Sequence, residues 1–427
     1  MSHRRRAAAA SVAVAGALAL AGCASPPAAP DLDATGDITI WLSNNEFELA
    51  WGNGMVERWN AEHPDEQVTV QEIPAGSTSE EAITAAVTAG TAPCLVYNVS
   101  PAAAPQWQEQ GGLVDLTRFD GGEQYVTDRT GEAAEQYRAA DGGMYQLPWK
   151  SNPVMVMYNR AMFEQAGLDP DDPGMTTFDG FLEGSRTLVE SGAAPSAIWP
   201  APTSEFFQSW FDFYPLYLAT SGGTSLVEDG AATFDDENGR AVWEMWRAMY
   251  AEGLAPRESA TDDAMLTGAT AMQLAGPWAV AAYEGTVDYG FFPVPTAHGV
   301  PASETSTFAD AKNVSMFTSC QNPGTAWEFL RFTTSVEADG ALLEASGQMP
   351  MRTDLVGRYP AFFAENPGYV DFADAAERDV DVPVIPNSVE AWQKVRDEYT
   401  RAVVYGEGDV DEALADAADA VDRLMEE

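Results

Sequence analysis

The sequence predicts an α/β protein built as two lobes, and three observations carry that expectation. Short apolar strands alternate with helical segments from residue 37 onward, the pattern of an open sheet with helices packed on it. The chain has 427 residues, more than one ordinary hydrophobic core accommodates. Residues 142–168, finally, read as a passage out of one lobe and into another. That stretch opens on Gly142 and Gly143 and extends toward Pro148, because the residue before a proline is pushed out of the helical region. A second apolar run at 153–158 suits a strand covered on both faces. Between the runs stand Trp149, Lys150, Ser151 and Asn152, expected to line the gap. Asn159 then caps a short helix, 160–166, that Gly167 ends.

The chain in order begins with an export signal. Arg4, Arg5 and Arg6 precede an apolar, alanine-rich run at 7–20 that is shorter than a bilayer crossing needs. Its end, Leu20-Ala21-Gly22-Cys23, resembles a bacterial lipobox, which implies lipid modification of Cys23 as the first residue of the mature protein. Residues 1–22 are then a lipoprotein signal peptide and 23–36, with Pro26, Pro27 and Pro30, a flexible tether.

Residues 37–42 alternate into a first strand, followed by the polar loop Ser43-Asn44-Asn45-Glu46. A helix runs to about Ala61, and a second strand is Val68-Thr69-Val70. Ser77 and Glu80 suggest a capping box for a helix that Gly90 ends. A third strand lies near 95–97, followed by Asn98. Ligands of open α/β sheets sit at the carboxyl ends of strands, which singles out residues 43–46 and Asn98 as one rim. Farther on, Thr176 and Asp179 are candidate caps for a helix bearing Phe178, Phe181 and Leu188. The segment 204–218 is dense in aromatics, Trp210 among them with Asp212. Residues 237–252 form an amphipathic helix with Trp243 off its apolar face, so satellite or exposed. Residues 271–278 read as a strand ending in a Gly-Pro-Trp turn, and 308–317 as a second strand crossing between lobes. The last helix, capped by Asp409, carries Val410, Ala413, Leu414, Ala417, Val421 and Leu424 on one stripe.

Composition excludes some partners. With 66 acidic against 22 basic residues and a net charge of −44, nucleic acid is a poor match for the surface. Lysine occurs only at 150, 312 and 394, so Lys150 stands out beside a gap. Besides Cys23 there are two cysteines, Cys94 and Cys320. An oxidising compartment permits a bridge between them, the alternative being two buried thiols.

Taken together, TIWLSNNE, GGMYQLPW with MVMYNRAMFEQAGL, AMQLAGPW, NVSMFTSCQNPGTAWEFLRFTTS and GQMPMRTDL resemble, in their order, the family-1 extracellular solute-binding proteins. These are the maltose-binding-protein-like receptors of ABC importers. The resemblance implies a two-lobed periplasmic-binding-protein-like fold with a hinge of several interdomain crossings, closing on a carbohydrate. The lobes it suggests are 37–148 with 312–350, and 149–311 with 351–427. It places Asn45, Glu46, Asn98, Asn152 and Trp278 where relatives contact ligand, with Trp210 and Asp212 in an equivalent aromatic loop. The chain departs from many relatives at Cys94, where an acid is common, and at Ala309-Asp310, where a glycine pair is. A sugar offers apolar faces and a girdle of hydroxyls, so its site wants aromatic platforms and polar side chains. Trp149, Trp210 and Trp278 are candidates for the first; Lys150, Asp310 and Arg352 join the amides for the second, or form inter-lobe salt bridges. The expected partners are a small carbohydrate and the membrane permease, with a monomeric chain and no cofactor or metal.

Enzymatic readings find little. Two carboxylates of a glycoside hydrolase can always be proposed among so many acids. His63 and His298 lie in no zinc motif, and there is no nucleophile elbow, C-x-x-C or phosphate loop. Residues 31–36 imitate the start of a calcium loop, but Leu42 stands where its final glutamate belongs. A surface lectin shares the sugar chemistry and predicts a rigid site.

Overall fold

The structure, a computed structural model, describes residues 31–75, 78–200, 211–385 and 387–426. The export segment with Cys23, together with Ser77 and Trp210, lies outside the described residues. Two sheets with separate cores form the molecule. The first has the strand order Met349–Pro350, Leu147–Ser151, Lys312–Met316, Leu95–Val99, Ile38–Leu42, Val68–Glu72. Ile38–Leu42 runs parallel to both of its neighbours, while Lys312–Met316 is antiparallel to Leu95–Val99 and to Leu147–Ser151. Strand alternation sends Ile40 and Leu42 to one face, with Trp51, Tyr97 and Phe329. Trp41 goes to the other, with Val96, Trp107 and Phe317.

The second sheet has the order Tyr289–Phe292, Met155–Asn159, Thr270–Ala275, Ser196–Ile198. Its core joins Val156, Phe181, Trp246 and Met272 to the stripe of the last helix, Val410–Met425. Every residue of that stripe is buried, and Asp409 caps the helix as the sequence predicts. Trp243 is the exception to the amphipathic reading of the helix Glu237–Ala251. It is fully buried, edge-on to Phe213 and Tyr399, because the turn after residue 399 covers the flank left for solvent.

Three passages join the lobes. The chain leaves the first sheet after Ser151 and enters the second at Met155; Trp149, Lys150 and Ser151 therefore still belong to the first sheet, past the crossing expected at residue 149. The return is not one strand over 308–317. It splits into Thr307–Phe308 and Lys312–Met316, because Asp310 takes a left-handed backbone, φ 40°, that no ladder accepts. The third passage follows Met349–Pro350. The passages run side by side: Asn152 N donates to Ala309 O at 2.6 Å, Val154 N to Phe308 O at 3.0 Å, and Ala309 N to Val380 O at 3.0 Å.

One buried guanidinium gathers these strands on the first lobe. Arg129, 2% exposed, donates to the carbonyls of Pro148, Trp149 (2.9 Å) and Met351 (3.0 Å), and to both oxygens of Asp339. Arg352 binds the same Asp339 and the Thr334 carbonyl. Two helix caps sit one residue beyond their expected places. Thr78, rather than Ser77, accepts from Glu81 N, and Thr177, rather than Thr176, from Gly180 N.

Cys94 and Cys320 form a disulfide, Cα–Cα 4.4 Å, across 226 residues of sequence. It ties the start of Leu95–Val99 to the turn after Lys312–Met316, so it lies wholly within the first lobe. Closing so long a loop restricts the unfolded chain strongly. The double variant Cys94→Ala/Cys320→Ala is expected to lose about 2–5 kcal/mol in urea unfolding, with lobe arrangement unchanged by small-angle scattering.

Candidate functional site

The carboxyl ends of Ile38–Leu42 and Leu95–Val99 form one wall. After the first comes Asn45, whose side chain accepts from Phe47 N and Glu48 N and caps the helix Glu46–Glu62; Glu46 beside it is exposed. At the end of the second, Asn98 takes a left-handed conformation, φ 62°. Non-glycine residues held at such angles cluster at functional sites, and Asp310 is a second case. Along the sheet, Asn313 pairs with Val99, and Asp310 lies just before the strand Lys312–Met316.

Beside the hinge, Asn152, Gly276, Trp278 and Asp310 form one contiguous group. Asn152 Nδ2 donates to Asp310 O at 3.2 Å. Gly276 is required by crowding: a Cβ there would lie 2.8 Å from Trp278 Nε1 and 3.1 Å from the Asn152 Cβ. Trp278 opens the helix Trp278–Tyr283 and packs one side of its ring on Met157, Met265 and Ala279, leaving the remainder partly exposed. Asn152 is 3% exposed, and its Oδ1 has no hydrogen-bond partner among the described residues. The Asp310 carboxylate meets Lys312 Nζ at 2.7 Å.

Four other candidates go elsewhere. Trp149 is fully buried between Trp51 and Tyr97, at ring distances of 5.5 and 5.2 Å, because strand alternation turns it into the first core. Lys150 points to the opposite side but is 1% exposed; its ammonium pairs with Glu48 and lies 4.5 Å from the Trp149 ring. Glu48 also accepts from Ser43 Oγ (2.6 Å) and Gln348 Nε2 (3.1 Å). Burial pushes the Glu48 carboxyl up, yet Lys150 and these donors outweigh it and hold the group below the usual carboxylate range. Arg352 belongs to the Arg129–Asp339 knot. Asp212 is buried in the second lobe, where burial raises its pKa against the opposing charge of Arg396.

Pattern reading missed Glu48, Gln348, Arg129 and Asp339. Each is an ordinary polar residue on a helix or turn, and only its long-range partner gives it a role. The scarcity of lysine was a usable signal that Lys150 is special, though it cannot say that the partner is internal. Among the described residues no cluster of His, Cys, Asp and Glu is arranged for a metal ion, and no helix is long and apolar enough to cross a membrane.

Two sheets with separate cores, joined by a multi-passage hinge, are the architecture of a two-lobed solute-binding protein. The chain belongs to the bacterial extracellular solute-binding protein family, which it matches over residues 48–340. It is 23% identical over 400 residues to the diacetylchitobiose-binding protein DasA of Streptomyces coelicolor, covering 88% of this chain and 87% of that one. The sn-glycerol-3-phosphate-binding protein UgpB of Rhizobium meliloti is 24% identical over 75% of this chain and 79% of its own. Among solved structures, the cyclic α-maltosyl-1,6-maltose-binding protein of Arthrobacter globiformis superimposes with a TM-score of 0.77 at 20% identity, covering 92% of this chain and 99% of that one. The GacH receptor of Streptomyces glaucescens gives 0.76 at 22% identity, with coverages of 92% and 99%.

The Glu48–Lys150 pair carries its own prediction. Glu48→Gln leaves a buried ammonium without a counter-charge and is expected to cost about 3–5 kcal/mol in urea unfolding. Because the native carboxyl lies below its ordinary value, its stabilisation is present above about pH 4.3 and is lost as pH falls through the lower native value. The variant's stability profile should therefore be flatter on the acid side than the parent's.

Proposed function

We propose that this protein is the carbohydrate-receptor component of an ABC importer, held outside the cell by a lipid on Cys23. A mono- or oligosaccharide bridges the two walls and stabilises the closed lobes, which then dock on the membrane permease. The observation that carries the reading is the contiguous group Asn152, Gly276, Trp278 and Asp310, and in this reading Asn45, Glu46 and Asn98 lie across the cleft from it. An indole edge kept open by a glycine, amides and a carboxylate suit the apolar face and hydroxyl rim of a sugar. The relatives lend support, since DasA is named for a chitobiose derivative and the Arthrobacter protein for a maltose derivative.

A second reading follows from UgpB, named for a glycerol phosphate. An anionic ligand wants cations free to meet it. Here Lys150 is paired with Glu48, Lys312 with Asp310 and Arg352 with Asp339, which favours a neutral ligand. Reducing-end release from offered oligosaccharides would expose a hydrolytic role. In the same reading the lobes comprise 37–151 with 312–350, and 152–311 with 351–427, the sheet pairing of Lys150 and Ser151 moving the boundary expected at 148, and the receptor acts as a monomer.

A thermal-shift screen over mono- and oligosaccharides, with glycerol phosphate as the anionic control, tests the ligand class. A neutral sugar should raise the melting temperature; a rise with glycerol phosphate alone would sink the reading. Trp278→Ala should weaken binding of that sugar by at least about tenfold, on the scale of a lost aromatic contact, with melting of the free protein little changed. Intact mass of the protein purified from membranes should carry diacylglycerol on Cys23, and Cys23→Ser should release it to the medium.

A further inference from the structure

Away from the sugar wall, two acids sit in the hinge itself. Asp379 and Asp381 belong to the segment that pairs with Thr307–Phe308. Asp381 holds both lobes at once. Its carboxylate accepts from Tyr137 Oη at 2.9 Å, and its N–H donates to Gln136 Oε1 at 3.2 Å. Both partners belong to the turn Gly131–Tyr137, whose Ala134 lies in the first core. On the other side, Tyr214 of the second core donates to Asp381 O at 2.8 Å, and neighbouring Val380 and Val382 pack on that core. Asp379 accepts from Ser151 Oγ on the first crossing strand. A small apolar cluster of Tyr137, Ala309, Ala311 and Met351 lies beside Asp381, which is buried, while Asp379 is partly exposed. Elsewhere the lobes touch where Ser388 Oγ donates to Ala102 O at 2.5 Å.

We propose that Asp379 and Asp381 form a proton-operated latch between the lobes, one that shuts the cleft more firmly as pH falls. Few charges oppose these acids. Lys312 faces Asp381 but is shared with Asp310 and Glu80; Asp310 and Asp379 add negative charge, and Tyr137 and Tyr214 are neutral donors. Burial pushes both acids up, to about 7. The Ser151 hydroxyl opposes it at Asp379, and Val382 N–H, Tyr137 and Lys312 oppose it at Asp381, while the acids repel each other.

When the lobes part and water reaches the pair, each acid returns toward an ordinary value of about 3.9. The closed arrangement therefore binds more protons between the two values. Closure is favoured most at low pH, loses that advantage as pH rises through the interval, and is insensitive above about 7. The two titrate as a coupled unit. The latch rests on the two-lobed architecture and not on the ligand's identity, so a failed sugar screen leaves it standing.

The test uses the full chain without ligand, spin-labelled through Glu62→Cys on the first lobe and Glu190→Cys on the second. Pulsed electron resonance should show the closed population, relative to the open one, rising at least about fivefold between pH 8 and pH 5.5. Asp379→Asn/Asp381→Asn should abolish the response and stay largely closed at both pH values. Tyr137→Phe keeps both acids but removes a donor that holds Asp381 down, so it should move the midpoint to higher pH. A distance distribution identical at the two pH values overturns the latch. So does a response that survives the double Asn variant, or a midpoint unmoved in Tyr137→Phe.

Discussion

The buried knot of Arg129, Asp339 and Arg352 is the interaction on which the rest of the architecture depends. Two cations around one carboxylate, all taken out of water, are costly unless the remaining donors find partners. The Arg129 guanidinium finds them in the carbonyls of Pro148, Trp149 and Met351, the backbone of the outgoing and returning strands. The charge thereby becomes a clamp that fixes where the chain leaves the first lobe. Packing of apolar side chains would hold these strands close but would not set their register so narrowly, because dispersion has no direction.

A second internal pair performs the same service nearer the cleft. Glu48 joins the helix Glu46–Glu62, the strand Leu147–Ser151, the turn at Gln348 and the loop at Ser43. Helix orientation and strand end are thus coupled at the base of the wall that Asn45 and Glu46 continue. These pairs also decide the chemistry of the wall. A chain with net charge −44 has few cations to spare, and those near the cleft are committed to internal acids. On the proposed reading of the site, what remains for a ligand is amide, carboxylate and indole, a set with hydroxyl groups as its natural complement.

The hinge shows why this fold moves where it does. Its passages are short backbone segments joined by hydrogen bonds, between Asn152 and Ala309 and between Ala309 and Val380. Val154 and Phe308 of these passages are buried in the second core, while Tyr137, Ala309, Ala311 and Met351 form a small apolar cluster beside them. The direct bonds between lobes are few, and those through Asp381 involve a group whose charge depends on its solvent.

Much of the fold was legible in the residues. Periodicity of 3.6 identified the last helix and its stripe, alternation found the first strand and apolar runs found the longer strands, since each element's buried face is written along its own length; Ser196–Ile198 and Met349–Pro350 are too short to carry such a signal. The cysteine pairing was legible because only two candidates remained after Cys23. Of the site, the glycine-proline-tryptophan turn and the rim at the strand ends could be located, because turn chemistry and strand ends are local features. Trp149, Lys150, Arg352 and Asp212 could not be assigned. A tryptophan or arginine has the same letter in a core as on a cleft wall, and what separates the cases is a partner 102 positions away for Lys150 or 13 for Arg352.

By itself, then, the order of residues determined the α/β class and the types of the longer elements, set by neighbours within a few turns, while the crossing points at Ser151 and Asp310 were set by strand pairing. Tertiary structure decided which charges face inward, and that two acids of the hinge, Asp381 buried and Asp379 partly exposed, stand against the crossing strands. Those outcomes depend on desolvation and on distances between remote segments, and neither exists until the lobes have packed.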